Sequence, residues 1–446
     1  LAHHDRFDAL ACNNEPDVPS FAAWGGIPNL RNVWDHITKG GAICTNDRPE
    51  ELRGDPNAAA YLDGSAAEQF NVTRSVTVLH RLRFERACRQ QAPERCLLSD
   101  EELTDLTAAV IRIEMGRIRQ VPWQTHGFDF DLRTREPMRI YTLLADILWD
   151  ELSAEQHAEI ATVTGQQIDA YLVHFHEPHW AIYNGNNWTP VLAEAALYWA
   201  ITYYHEDERA PEVAWRALQS LWLHRSSYLP DGVYEEGLLM YSQVSFDPLM
   251  AVARLAEAAF GVRPESLPWE RMAGFADWAM AFVASDGMTI DFADAWMKVG
   301  WGTFMPLLAH MADPDQRALA AAPDPCFAHR FFSNKYYQHG LADPWNIHPA
   351  LARDWYAVTA ACAENGNMVP QGIELRAWQH GGWGNIRIGR PGATSYTDRI
   401  DGLAPSRFRQ ADQVTLAVSA IPNTSPHTEL DFGTLVWTAF GNRLIW

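Results

Sequence analysis

The chain lacks any apolar run of about 18 residues or more, the least a membrane-spanning helix needs, so no membrane span is expected. It is short of positive charge: 35 Lys and Arg stand against 56 Asp and Glu, a formal net charge of −21. Nucleic-acid binding rests on phosphate neutralisation by Lys and Arg, so general nucleic-acid affinity is excluded. A polyanionic ligand in a local basic cleft is not. Cysteine is scarce, and none of the six (Cys12, Cys44, Cys88, Cys96, Cys326, Cys362) forms a CxxC metal knuckle. Their even number and wide placement fit three disulfides, with Cys88 and Cys96 as one candidate pair; the spacing leaves the connectivity open. The chain also lacks an initial Met, starting at Leu1 as a processed or truncated protein would. Together these features lead us to expect a periplasmic or secreted protein.

What is present is a large apolar and aromatic load. The 446 residues are 47% apolar, with 19 Trp, 14 Tyr and 19 Phe, enough for a sizeable core and for ligand-stacking faces. Three regions follow. Residues 1–98 are irregular, rich in Pro, Gly, Asn and Asp, and are expected to pack on the next region; a helix is predicted at Val76–Arg89, its Arg81, Arg83, Arg86 and Arg89 on a solvated face. Residues 99–370 open on Ser99 with Glu102 three residues later, a capping box. Amphipathic segments then recur at 103–120, 137–152, 154–176, 190–206, 211–228, 248–260, 268–284, 301–312 and 349–363. Loops alternate between short and long and aromatic, the pattern of an α/α toroid, although no strict repeat accompanies it. Residues 371–446 alternate with period two in about four strands, from Ile373–Trp378 to the turn Phe440-Gly441-Asn442, and begin an antiparallel β-sheet domain. The expected class is α+β and multidomain: an incomplete toroid, then a sheet domain completed by a downstream segment or a second chain.

Three stretches can carry chemistry. In the first, Ala181 to Val191, Asn186, Asn187 and Trp188 approach an alanine-rich helix for which Thr189 is the expected N-cap and Pro190 the first helical residue. Backbone N–H groups and the helix dipole make that end a seat for a carboxylate. The plainer reading is that both asparagines only shape a turn. In the second, Asp231-Gly232 forms a turn and Asp247-Pro248 caps the following helix, which leaves Tyr234, Glu236 and Tyr241 on a segment between helices; a tyrosine in such a place packs more often than it catalyses. In the third, His427, Glu429 and Asp431 lead into a strand as a surface turn, a base or a metal cluster.

An Asn-Asn-Trp before an alanine-rich helix, Glu236 with Tyr241 five residues on, and His427-x-Glu429-x-Asp431-Phe-Gly-Thr occur in this order. The set resembles the heparinase II/III-like polysaccharide lyases across residues 100–446. The resemblance implies a toroid with antiparallel sheets and β-elimination of a uronic-acid glycan. Asn187 then matches the residue that neutralises the uronate carboxylate, Tyr241 the catalytic tyrosine, and His427 the β-domain histidine that acts as second base or carboxylate partner. Asn186, Trp188, Tyr183, Trp180, Tyr234, Arg135, Arg139 and Glu236 are the candidate substrate contacts, with Arg139 equally able to pair with a helix-face acid. No metal is needed for bond cleavage. A structural zinc would take Glu429 and Asp431, with its remaining ligand beyond Trp446. Two departures stand out: Glu429 replaces the second histidine of the family's His-x-His, and Ser242 replaces the histidine after the tyrosine. His126, His174, His176 and His179 are stand-ins for the latter. Two other classes fit the composition: a toroid glycoside hydrolase drawing two carboxylates from Asp231, Glu235, Glu236, Asp291 and Asp294, and a non-catalytic glycan-binding protein.

Overall fold

The computed structural model describes residues 56–68, 72–91, 98–118, 130–176, 186–237, 241–261, 372–389, 413–420, 433–439 and 442–445, with Phe275, Trp278, Ala281, Phe282, Ile290 and Phe292 between them. The described helices are α1 (Pro56–Leu62), α2 (Val72–Gln91), α3 (Asp100–Arg117), α4 (Leu132–Ile147), α5 (Ala154–His176), α6 (Trp188–Thr202), α7 (Ala210–His224) and α8 (Tyr241–Phe260).

Helix α6 is the centre of this array because its sequence is apolar all round. Every residue from Thr189 to Thr202 is buried, and the helix packs against α4, α7 and α8. Trp199 adds a directional contact, its Nε1 donating to Thr164 Oγ1 of α5 at 3.1 Å. Helices α1 and α2 pack on α3, and α2 also on α4, so residues 56–91 join the helical body. Helix α3 begins where its capping box predicts, with Ser99 N donating to Glu102 Oε2 at 2.7 Å and Glu102 N to Ser99 Oγ at 3.2 Å. The solvated basic face expected on α2 is not found at two of its four arginines. Arg81 and Arg83 are buried, because Glu85 lies one turn beyond Arg81 and pairs with it at 3.0 Å, and because α2 is covered on that side. The segments 301–312 and 349–363 that would close a ring lie outside the described residues, as do all the cysteines except Cys88, which sits in α2.

The sheet is a five-stranded antiparallel meander in the order β1 (Gly372–Trp378), β2 (Trp383–Gly389), β3 (Gln413–Ser419), β4 (Leu435–Ala439) and β5 (Asn442–Ile445), one strand more than the alternation suggested. Its period-two pattern separates two faces. Trp378, Trp383, Asn385, Thr415, Ala417, Ser419, Val436 and Thr438 are buried, whereas Leu375, Ile388, Val418, Leu435 and Trp437 on the other face are exposed.

The buried face rests on helical Phe275, Trp278 and Ala281 and on Phe282. Trp383 meets Phe282 edge-on at 4.8 Å between centroids, and Asn385 Nδ2 donates to the Ala281 carbonyl at 2.5 Å. A second tie joins the β1–β2 turn to the helical body. His380 N and Gly381 N both donate to Asp231 Oδ2, at 2.7 and 3.2 Å. Only glycine fits at 381, since a Cβ there would lie 2.5 Å from both methyls of Val233. No helix among the described residues is long and apolar enough to cross a membrane.

Candidate active site at the entrance to the central helix

Helix α6 starts earlier than Thr189 and Pro190 suggest. Asn187, with φ −59° and ψ −18°, is the residue before the first helical one. An asparagine there ordinarily turns its side chain back onto an N–H of the first turn. Asn187 makes no such bond. Asn186 does this work instead: its Oδ1 accepts from Trp188 N at 3.0 Å and its carbonyl from Thr189 N at 3.1 Å. The Asn187 N–H donates to Glu236 Oε2 at 2.8 Å. The anion seat expected at this helix end therefore already holds a carboxylate of the same chain. What the turn leaves over is the Asn187 side chain, 3% exposed, whose Oδ1 has no hydrogen-bond partner among the described residues.

Glu236 reaches Asn187 from a tight reversal between α7 and α8. Tyr228 and Tyr234 pair as an isolated antiparallel bridge, Leu229 N donates to the Val233 carbonyl at 2.9 Å, and Gly232 takes the positive φ of 83° at the tip. This brings Tyr234 alongside Glu236, and its hydroxyl donates to Oε2 at 2.7 Å. Burial pushes the Tyr234 phenol well above its ordinary value, and the Glu236 charge adds to the effect. The stacking role expected of Tyr234 gives way to a structural one, because at 1% exposure it has no ring face to offer a ligand.

The same cluster reaches α8. His224 Nε2 lies 2.6 Å from Ser245 Oγ, and the Tyr228 hydroxyl lies 3.2 Å from it. Tyr241 opens α8, four residues before Ser245 and so on the same helix face. This corrects the placement of Tyr241 on an interhelical segment: Pro248 lies inside the helix and does not start it. Tyr241 is half-buried, whereas Ser242 is fully buried. A path thus runs from Asn187 through Glu236, Tyr234, its bridge partner Tyr228 and Ser245 to within one helical turn of Tyr241.

Arg135 and Arg139 face inward from α4. Arg135 pairs with Glu136 and with the buried Glu194 of α6, while Arg139 lies 3.0 Å from Glu136 and 3.7 Å from Glu194. The helix-face partner foreseen for Arg139 is therefore present, and Arg135 shares it. Trp188 is half-buried and packs against the core. His174 is half-buried on α5. Trp180, Tyr183, His427, Glu429 and Asp431 lie outside the described residues, as do His126 and His179. His224, Tyr228 and Ser245 join the site without having been singled out from sequence. The signal for them was a pair of four-residue spacings, His224 to Tyr228 and Tyr241 to Ser245, the second legible only once α8 is known to begin at Tyr241.

No protein-family model matches this chain, and no curated protein does. Among solved structures it is similar to heparan sulfate lyase HepC from Pedobacter heparinus, at 14% identity and a TM-score of 0.47, over 98% of this chain and 64% of that one. A mutant of the same lyase aligns at 13% identity and 0.48, over 94% and 61%. A structure of heparinase III aligns at 13% and 0.49, over 94% and 64%. The chain spans about three fifths of the length of these structures.

Proposed function

We propose that the chain is a polysaccharide lyase that cleaves an acidic glycan by β-elimination, with Asn187 holding the uronate carboxylate. The observation that supports this best is the Asn187 side chain: buried at the mouth of a helix, not used as a cap, and with an Oδ1 that has no partner among the described residues. Leaving a buried polar group unsatisfied costs about 1–3 kcal/mol, which a ligand group would recover. In the reaction the C5 proton passes to a base, its electron pair forms the C4=C5 bond, the C4–O4 bond breaks, and O4 takes a proton from an acid. Negative charge builds on the C6 carboxylate, and a preorganised amide donor there can contribute about 3–4 kcal/mol. Either end of the amide can face the ligand by rotation about its last torsion. Tyr241 and His427 are assigned the acid and base roles.

A hydrolase would need a free carboxylate pair. Asp231 is held by two N–H groups of the β1–β2 turn and Glu236 by Asn187 N and Tyr234, which takes two of the five candidates. Incubation with a panel of uronic-acid glycans tests the proposal. Growth of ultraviolet absorbance from the conjugated C4=C5 bond supports it, and new reducing ends without that absorbance rule it out.

A further inference from the structure

We infer that Glu236 is a positioning residue that sets the Asn187 amide, an inference that rests on the lyase reading of Asn187. Three observations carry it. First, the Glu236 carboxylate is buried, and its Oε2 is taken up by contacts inside the chain. Second, one oxygen, Oε2, takes both the Asn187 N–H at 2.8 Å and the Tyr234 hydroxyl at 2.7 Å. Charge-assisted hydrogen bonds of this kind are stronger than neutral ones and fix direction as well as distance. Third, the N–H it holds belongs to the residue whose side chain is left over, so the carboxylate fixes the backbone that aims the Asn187 side chain. Tyr234 is in turn locked by its bridge to Tyr228, whose hydroxyl lies 3.2 Å from Ser245 Oγ of α8, the helix that begins with Tyr241. The clamp therefore ties the Asn187 turn, through a contact 49 residues away in sequence, to the segment that leads into α8.

A carboxylate is suited to this place for a further reason. The positive end of α6 favours an anion, so Glu236 stabilises the helix while excluding a competing anion from its backbone donors. A ligand carboxylate is left with the Asn187 side chain as its donor at this turn.

The test is a double-mutant cycle on the full chain, with kcat and KM measured for wild type, Asn187→Ala, Glu236→Ala, Glu236→Gln and the double alanine variant. Amide hydrogen exchange over residues 186–189 is followed in each. Displacement of a positioned group by about 1 Å can lower a rate about 10²-fold. Glu236→Ala is expected to lower kcat by about that factor with KM little changed, and to add little further loss in the Asn187→Ala background. Glu236→Gln keeps an acceptor for Asn187 N and is expected to recover most of kcat. Exchange at the turn should quicken in Glu236→Ala and not in Asn187→Ala. Equal losses from Glu236→Ala with and without Asn187, or unchanged exchange at the turn, overturn the inference. Should wild type give no unsaturated product, the lyase reading fails separately, and the exchange comparison alone decides whether Glu236 holds the turn.

Discussion

Replacing Asn187 by Ala removes the side-chain amide while sparing the N–H that Glu236 holds, and that separates function from folding at this residue. The expected outcome is a kcat lower by about 10²–10³-fold, as for loss of one preorganised donor, with a melting temperature close to wild type. Asn186→Ala should behave in the opposite way. It loses the acceptor for Trp188 N, so thermal denaturation should show a loss of about 1 kcal/mol, the usual value for a cap. Two adjacent residues of one type thus carry different duties, and the difference lies in which side chain the backbone turn consumes. Tyr234→Phe removes the hydroxyl that donates to buried Glu236, and chemical denaturation should show a destabilisation of about 1–3 kcal/mol. KM for a glycan should not rise as it would if the ring stacked on sugar.

At the scale of elements, the β1–β2 turn shows how closely the sheet is fitted to the helical body. Gly381→Ala would drive a methyl into Val233, a backbone-supported neighbour, and overpacking of this sort costs about 1–3 kcal/mol in a denaturation experiment. Periodicity made the elements themselves legible. Ala154–His176 has the bounds its amphipathic pattern gives, and the strands follow the alternation from Gly372 to Ile445. What the pattern could not show was where α6 and α8 start. Thr189-Pro190 and Asp247-Pro248 both carry start signals, and in both cases the helix begins before them. For α6 the Glu236 carboxylate holds the N–H of Asn187, the residue before its first turn; for α8 Pro248 is accommodated inside. The burial of Arg81, Arg83 and Tyr234 was hidden for a related reason. Residue type reports the price of burying a polar group, whereas the partner that offsets it lies elsewhere in the chain, as Glu236 does for Tyr234.

For the whole molecule, the charges locked between α4 and α6 set a pH dependence. Burial alone would raise the Glu136 carboxyl, but Arg135 and then Arg139 overcome this and hold it below the ordinary carboxylate value. A group lowered in the folded state adds stability above its unfolded pKa, near about 4.3, and that contribution is lost as pH falls through the folded value. Stability measured by urea denaturation should therefore hold from neutral pH down to about pH 4 and fall below it, with Arg135→Met moving the fall to higher pH. The exposed apolar side chains of Leu375, Ile388, Val418, Leu435 and Trp437 form the other feature at this scale, since large exposed apolar patches promote association. Leu375→Lys should lower self-association seen by light scattering, most visibly near the sequence pI of 5.2, where charge repulsion is least.

Elimination at Asn187 and Tyr241, as proposed, leaves its mark on the product. The most direct measurement is the mass of the new non-reducing end released from a uronic-acid oligosaccharide, taken in parallel for wild type, Asn187→Ala and Tyr241→Phe. The wild-type product is expected to be lighter by one water than the hydrolysis product, with almost none from either variant. A product carrying the added water, or one formed equally well by both variants, would contradict it.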